Sequence, residues 1–377
     1  MIFIPIPNSY QVADVGIRYE SSPQRELTID LESALSLYDG NKLSDAGDNN
    51  NSGLAFNGKV SLRKYGFRLF GLKLHSLEAD VRQKVVNKSF VPLERYNPVE
   101  FYREYNIQDT EVLTEDLKEA SVTFAPVRYM NFKALFGQLK RGTVFNSLRA
   151  VGDFAMRNDT LKLPDILYRI EYINSEYDVS KNKSDWLRQF AKLAYRNLFG
   201  NMFMGQTSME LGFVFNMENR RNFNTVLSGD SLASGSFAYY ELKPRMVLSN
   251  FLSSTVYGEF GYRQDRQPIA GFLKEESNSL TYLAGMRYDG LSWLSTLFEL
   301  TVRNKKYTEE FTTETNKNNN TLLVNWQTRV DPFSGGFQTD LYYNITSERQ
   351  AKVERVFVPV PVGEGNYIYI GDINGNG

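Results

Sequence analysis

Leu27-Thr28-Ile29-Asp30-Leu31-Glu32-Ser33-Ala34-Leu35-Ser36-Leu37 alternates apolar with polar or small residues. A second run, Met209-Glu210-Leu211-Gly212-Phe213-Val214-Phe215-Asn216-Met217-Glu218, keeps the same beat. Successive side chains of a strand point to opposite faces, so each run has one apolar and one more polar face. The runs last about 9 to 11 residues, the length a tilted strand needs to cross a bilayer, whereas soluble strands average about 5 to 6. The pattern therefore predicts an all-β chain, an antiparallel up-and-down meander closing as a transmembrane β-barrel or a large curved sheet.

Working outward, Leu54, Phe56, Val60 and Leu62 alternate with Ala55, Asn57, Lys59 and Ser61, and Leu77, Ala79 and Val81 with Glu78, Asp80 and Arg82. Further strand-like segments lie near 119–125, 131–139, 149–157, 166–174, 237–248, 254–264, 279–288, 293–303, 321–330 and 336–346. At about 20 to 25 residues per strand and connection, roughly 14 to 18 strands are expected. Turn signals fall at Asp39-Gly40, at Asp289-Gly290, and at Pro332 with Gly335 and Gly336. Long polar connections are expected at 40–53, 87–116, 219–236 and 308–320; short turns on one side and long loops on the other are a barrel's habit. Ser184 to Phe199 fits a helical spacing through Leu187, Phe190, Ala191, Ala194 and Leu198; its strand neighbours make it a strand here.

Composition narrows the function. The net charge is −1, with 43 Lys and Arg against 44 Asp and Glu, which removes the electrostatic case for a nucleic-acid binder. Cysteine is absent, so there is no disulfide, thiolate metal site or Cys nucleophile. No run approaches the ~18 apolar residues of a membrane helix, and Met1 opens no signal peptide. Aromatics reach 14 %. Tyr239, Tyr240, Tyr257, Phe260, Tyr262, Tyr282, Tyr288, Trp293, Phe298, Trp326, Tyr342 and Tyr343 are expected to form interfacial girdles, as against core pairs in soluble sheets.

Candidate chemistry is sparse. Gly229-Asp230-Ser231-Leu232 matches the signature of GDSL-type esterases, whose serine needs a histidine. The one histidine, His75, lies in a strand-like run, and no Asp-x-x-His follows Ser231; a polar hairpin loop explains the motif. No catalytic residue, cofactor or enzyme activity is expected. Asp372-Ile373-Asn374-Gly375-Asn376-Gly377 reads D-x-N-x-N-G, the opening half of an EF-hand-type loop, making Asp372, Asn374 and Asn376 candidate calcium ligands. The closing acidic ligand is missing, so calcium is expected in a longer parent chain, and an Asn/Gly-rich turn is the plain alternative. The prolines of Phe357-Val358-Pro359-Val360-Pro361-Val362 exclude a central strand. The division expected is thus 1–356 as barrel or meander and 357–377 as an extended connector.

The alternating strands, the polar loops and the closing stretch VERVFVPVPVGEGNYIYIGDINGNG (353–377) resemble large outer-membrane and cell-surface β-barrel proteins of Gram-negative, Bacteroidota-like envelopes. That resemblance implies a fragment of a longer polypeptide in the cell outer membrane, with membrane lipid and other envelope proteins as partners. The function expected is a non-enzymatic pore, anchor or scaffold. The alternative is a soluble surface or periplasmic all-β adhesin or carbohydrate-binding protein, whose sheets would bury the same apolar faces. In a barrel, Phe213 faces lipid, and Ser36 lies on an open polar face that tolerates a bulky charge.

Overall fold

The computed structural model describes residues 7–21, 26–44, 51–69, 71–108, 111–157, 163–178, 180–198, 207–224, 231–313, 316–333 and 335–348. One antiparallel sheet of 16 strands runs in sequence order from first to last. The strands are β1 Ser9–Glu20, β2 Leu27–Asp39, β3 Ser52–Leu69, β4 Leu72–Val86, β5 Glu115–Ala125, β6 Met130–Arg141, β7 Phe145–Met156 and β8 Asp165–Tyr177. They continue as β9 Asn182–Leu198, β10 Ser208–Asn224, β11 Phe237–Phe251, β12 Ser254–Ile269, β13 Phe272–Leu291, β14 Leu294–Tyr307, β15 Asn319–Val330 and β16 Thr339–Glu348. One short helix, α1 Phe101–Glu104, lies between β4 and β5. Segment 184–199 is strand β9 for most of its length, as its neighbours require.

Register carries the alternation across the whole sheet. Ile17 faces Leu31 and Tyr19 faces Ile29; Ile29 meets Val60, and Val60 meets Val81. At the other edge, Met286 faces Phe298, Phe298 faces Trp326, and Trp326 faces Tyr343. A one-residue slip would turn every such side chain over, so the apolar rows themselves fix the pairing. The apolar face is bare: Val15 and Ile17 are 67 % and 65 % exposed, and Leu54, Val81, Phe136 and Tyr172 lie open too. The chain exposes 26147 Å², against about 15,000 Å² expected of a globular protein of this mass. The packed-sandwich alternative is thereby corrected: there is one sheet, not two, and no second layer covers its apolar face among the described residues.

On β2 the apolar positions run from Leu27 to Leu37. At ~3.3 Å per residue that is about 33 Å of strand, or about 25 Å across a bilayer after a ~40° tilt, matching the height of a barrel's lipid-facing band. Toward the β12–β15 side the band stops at Gln264, Asn278, Asn304 and Asn320, which occupy adjacent rows on the same face. The aromatic expectation needs a correction. Tyr240, Phe260, Tyr262, Tyr282, Tyr288, Phe298, Trp326 and Tyr343 share the apolar face, whereas the register turns Tyr239, Tyr257 and Tyr342 to the opposite side.

The four long connections all leave one end of the sheet: 40–51, 87–114, 225–236 and 308–318. The other end carries the tight 252–253 and 292–293 turns. Two boundaries differ from expectation. Residues 219–224 belong to β10. Asp289-Gly290 is not a turn: the register shifts between Tyr288 and Leu291, so this pair forms a bulge inside β13 and the chain reverses at Ser292-Trp293. The Asp289 carboxylate accepts from Ser295 Oγ at 2.6 Å across that bulge. β1 and β16 pair only with β2 and β15 among the described residues, so the sheet ends in two edges. The connector 357–377, with Asp372, Asn374 and Asn376, lies outside the described residues.

Candidate functional site: a strap across the polar face

The polar face has its own order. From β7 to β12 one row reads Val151, Glu171, Arg188, Glu218, Tyr239 and Asp265. The next row reads Arg149, Ile173, Trp186, Arg220 and Phe237. In the first row the charges alternate from β8 to β10, and the second row sets Arg149 and Arg220 beside those acids. Arg149 Nε donates to Glu171 at 2.7 Å, and Arg188 Nη2 lies 2.9 Å from the same carboxylate. On the β1–β6 side a cavity of about 570 Å³ is lined by Asp14, Asp30 and Glu119 and by Arg18, Lys59 and Lys133. Neither sign dominates the wall.

Segment 87–114 joins β4 to β5, and its described residues, 87–108 and 111–114, do not extend into solvent. It folds back over the polar face as a strap. The expectation of a solvated loop fails because the stretch carries Phe101, Tyr105 and Ile107, which bury with Leu117, Leu139 and Phe145 in the principal apolar cluster of the described residues. Phe101 and Tyr105 sit four apart across α1, on one helical face, their rings 5.3 Å apart. Their spacing was the available signal.

Glycine lets the strap come close. A side chain at Gly53 on β3 would collide with the Ser89–Phe90 backbone, and one at Gly137 on β6 would collide with the Tyr105 hydroxyl. Tyr105 is fully buried and donates to Glu119 Oε1 at 2.7 Å. Burial beside Glu119 raises the Tyr105 phenol above its ordinary value, and burial beside Glu115 does the same to Tyr96. Nearby, Arg141 Nε lies 3.3 Å from Glu115, both almost completely buried, and Lys84 bonds Asn97.

The strap reaches both sides of the sheet. At β2, Val91 N–H donates to Ser36 Oγ at 3.0 Å, and the Tyr10 hydroxyl of β1 donates to Val91 O at 2.6 Å. Ser36 is fully buried, so it is not the open position expected of it. At β8, Asn106 Nδ2 donates to Ser175 Oγ (2.8 Å) and Gln108 N–H to the Tyr177 hydroxyl (2.8 Å). At β10, Arg103 donates to Glu218 at 3.0 Å, and Arg220 donates to Asn106 Oδ1 at 2.6 Å. Three guanidinium carbons, those of Arg188, Arg220 and Arg103, stand 4.6, 5.1 and 5.9 Å from the Trp186 ring centre. One short segment can touch β1, β2, β8 and β10 only if the sheet curves around it, so the polar face is the concave one.

The strap's two footings differ in kind. On β5–β7 it is held by buried apolar contacts, by hydrogen bonds from Tyr96 and Asn97 to Glu115, and by the Glu104–Arg149 ion pair at 2.8 Å. On β8–β10 it is held by hydrogen bonds, an ion pair and cation–π contacts.

The sequence-predicted chemistry does not assemble. His75 lies near the tight-turn end of β4, and Ser231 lies in the β10–β11 connection at the opposite end. No group of three or more metal-ligating side chains occurs among the described residues.

No family model matches the chain, and no curated protein matches it. Solved structures similar at low level include the following two. One is the crystal structure of Pseudomonas aeruginosa OccK2 (OpdF) in complex with glucuronate, at 8% identity and TM-score 0.35, covering 91% of both chains. The other is the crystal structure of BauA, the ferric preacinetobactin receptor from Acinetobacter baumannii, at 8% identity and TM-score 0.25. That match covers 92% of this chain and 62% of BauA.

Proposed function

We propose that this chain forms the wall of a non-enzymatic outer-membrane pore whose bore is narrowed by the strap 87–114. The observation that carries the reading is the pairing of faces: a bare apolar band outside, and a concave polar face crossed by a strap inside. Backbone groups in lipid must be satisfied internally, which a curved antiparallel sheet does for all strands but its edges; those edges require a partner in the membrane. Outer-membrane lipid is then the partner of the convex face, and other envelope proteins of the long connections. No cofactor is called for.

The test is conduction. Protein extracted from membranes together with the partner that closes its edges, reconstituted in a planar bilayer, should give discrete conductance steps. Arg103→Ala combined with Arg220→Ala, which removes the strap's charged hold on β10, should enlarge them. Membrane-inserted protein that conducts in neither form would be an anchor or scaffold rather than a pore. Release from membranes by carbonate without detergent would overturn the spanning wall itself.

A further inference from the structure

At the long-loop end, the strap tip and the ends of β8, β9 and β10 enclose a second cavity of about 410 Å³, within the ~300–1,000 Å³ of small-molecule sites. Its chemistry differs from the checkerboard below it. Gln108, Ser175, Asn182, Ser184, Asn222 and Asn224 line it, with the aromatic ring of Tyr177. The one charged side chain lining it, Lys183, is paired with Glu176 at 2.9 Å. No net charge is left to favour an ion over a neutral solute.

The polar atoms are pre-ordered by one another. Ser184 Oγ donates to Asn222 Oδ1 at 2.7 Å, and Asn224 Nδ2 donates to Asn182 Oδ1 at 2.9 Å. Ser175 Oγ, almost wholly buried, is fixed by Asn106 of the strap. These bonds hold rotamers in place and leave capacity over. Asn182 keeps its amide donors, and the Gln108 carboxamide bonds to no described residue and keeps both donor and acceptor. A set of amides and hydroxyls offering donors and acceptors together, beside an aromatic ring, matches a ligand that is uncharged, carries several hydroxyls and presents C–H faces.

We propose that this cavity binds a neutral sugar of one or two rings, at the mouth of the polar bore. The site does not depend on conduction, since binding is measurable in protein that carries no current.

The test is titration calorimetry on the detergent-solubilised chain with glucose, maltose and, as charged control, gluconate. Saturable binding of glucose or maltose is expected, with gluconate at least tenfold weaker. Gln108→Leu and Asn182→Leu should each weaken the neutral sugar about five- to tenfold, the loss expected when an uncharged partner is removed. Gln108 contributes its backbone, not its side chain, to the strap's docking, so Gln108→Leu should keep the wild-type thermal unfolding curve. Three results overturn the proposal: no saturable binding of either neutral sugar, undiminished binding in the Gln108→Leu, Asn182→Leu double variant, or gluconate binding as tightly as maltose. None of these bears on whether the wall conducts.

Discussion

Gly137 shows how much one missing methyl group decides. Its backbone sits directly beneath the Tyr105 hydroxyl, and that contact lets the strap lie flat on β6. Gly137→Val would drive Tyr105 off the wall and break its bond to Glu119. We expect a loss of about 1–3 kcal/mol, the usual cost of overpacking, read by denaturant unfolding, together with a larger conductance. Tyr105 also sets a pH limit. Its folded pKa is raised above the ordinary tyrosine value, so its contribution is fully present below about pH 10, where the free phenol would ionise, and fades at higher pH. Protection of residues 101–108 against hydrogen exchange, taken relative to the base-catalysed intrinsic rate, should fall above about pH 10 in the wild type. Tyr105→Phe should flatten that dependence while loosening the strap at every pH; an unchanged alkaline profile would remove Tyr105 as its source.

At the scale of the element, each strand is a two-sided object, and adjacent positions should respond in opposite ways. Phe213 shares the apolar-face row of Leu193 and Pro244, while Val214 shares the polar-face row of Lys192 and Lys243. Phe213→Arg should cost about 2–4 kcal/mol of membrane stability, the range for arginine near a bilayer midplane, and should lower the yield of assembled protein. Val214→Arg should insert normally and shift only conduction. Equal defects would mean that the faces are misassigned. The strap obeys a different rule. Its apolar footing on β5–β7 is the lasting one, because buried contacts survive where exposed ion pairs are worth little. The β8–β10 footing is the one that substitution at Arg103 and Arg220 should release.

At the scale of the molecule, the balance of charge becomes a property of the concave face, the wall of the proposed bore. The β1–β6 cavity sets Asp14, Asp30 and Glu119 against Arg18, Lys59 and Lys133, and the β7–β12 rows set Glu171, Glu218 and Asp265 against Arg149, Arg188 and Arg220. Such a wall has local fields but little net one, so potassium and chloride should permeate within a few-fold of each other. A reversal potential close to zero in a salt gradient is the expected measurement; strong selectivity would point to a filter elsewhere than this wall. The connections complete the picture, since the four long ones share one end, and the wall therefore has a decorated mouth and a plainer one.

The alternation of Leu27 to Leu37 and of Met209 to Met217 determined the strand type, the two-faced sheet and the order of the meander, because period-two patterning is a local property and neighbouring strands pair by default. The connection at 40–51 emerged close to its expected place for the same local reason: a stretch rich in Asn, Asp and Gly does not extend a ladder. Only the tertiary structure decided what 87–114 does. The spacing of Phe101 and Tyr105 hints at one apolar helical face but not at what it packs on, since the surface that they and Ile107 bury, Leu117, Leu139 and Phe145, is scattered over three later strands. Ser36 and Gly53 look like ordinary polar-face and turn-prone residues until the strap arrives on top of them. The mouth cavity was equally hidden, since Gln108, Ser175, Asn182 and Asn222 become neighbours only once β8, β9 and β10 are in register and the strap has crossed the bore. Local patterning fixes which face each residue takes; long-range closure fixes which residues meet on it.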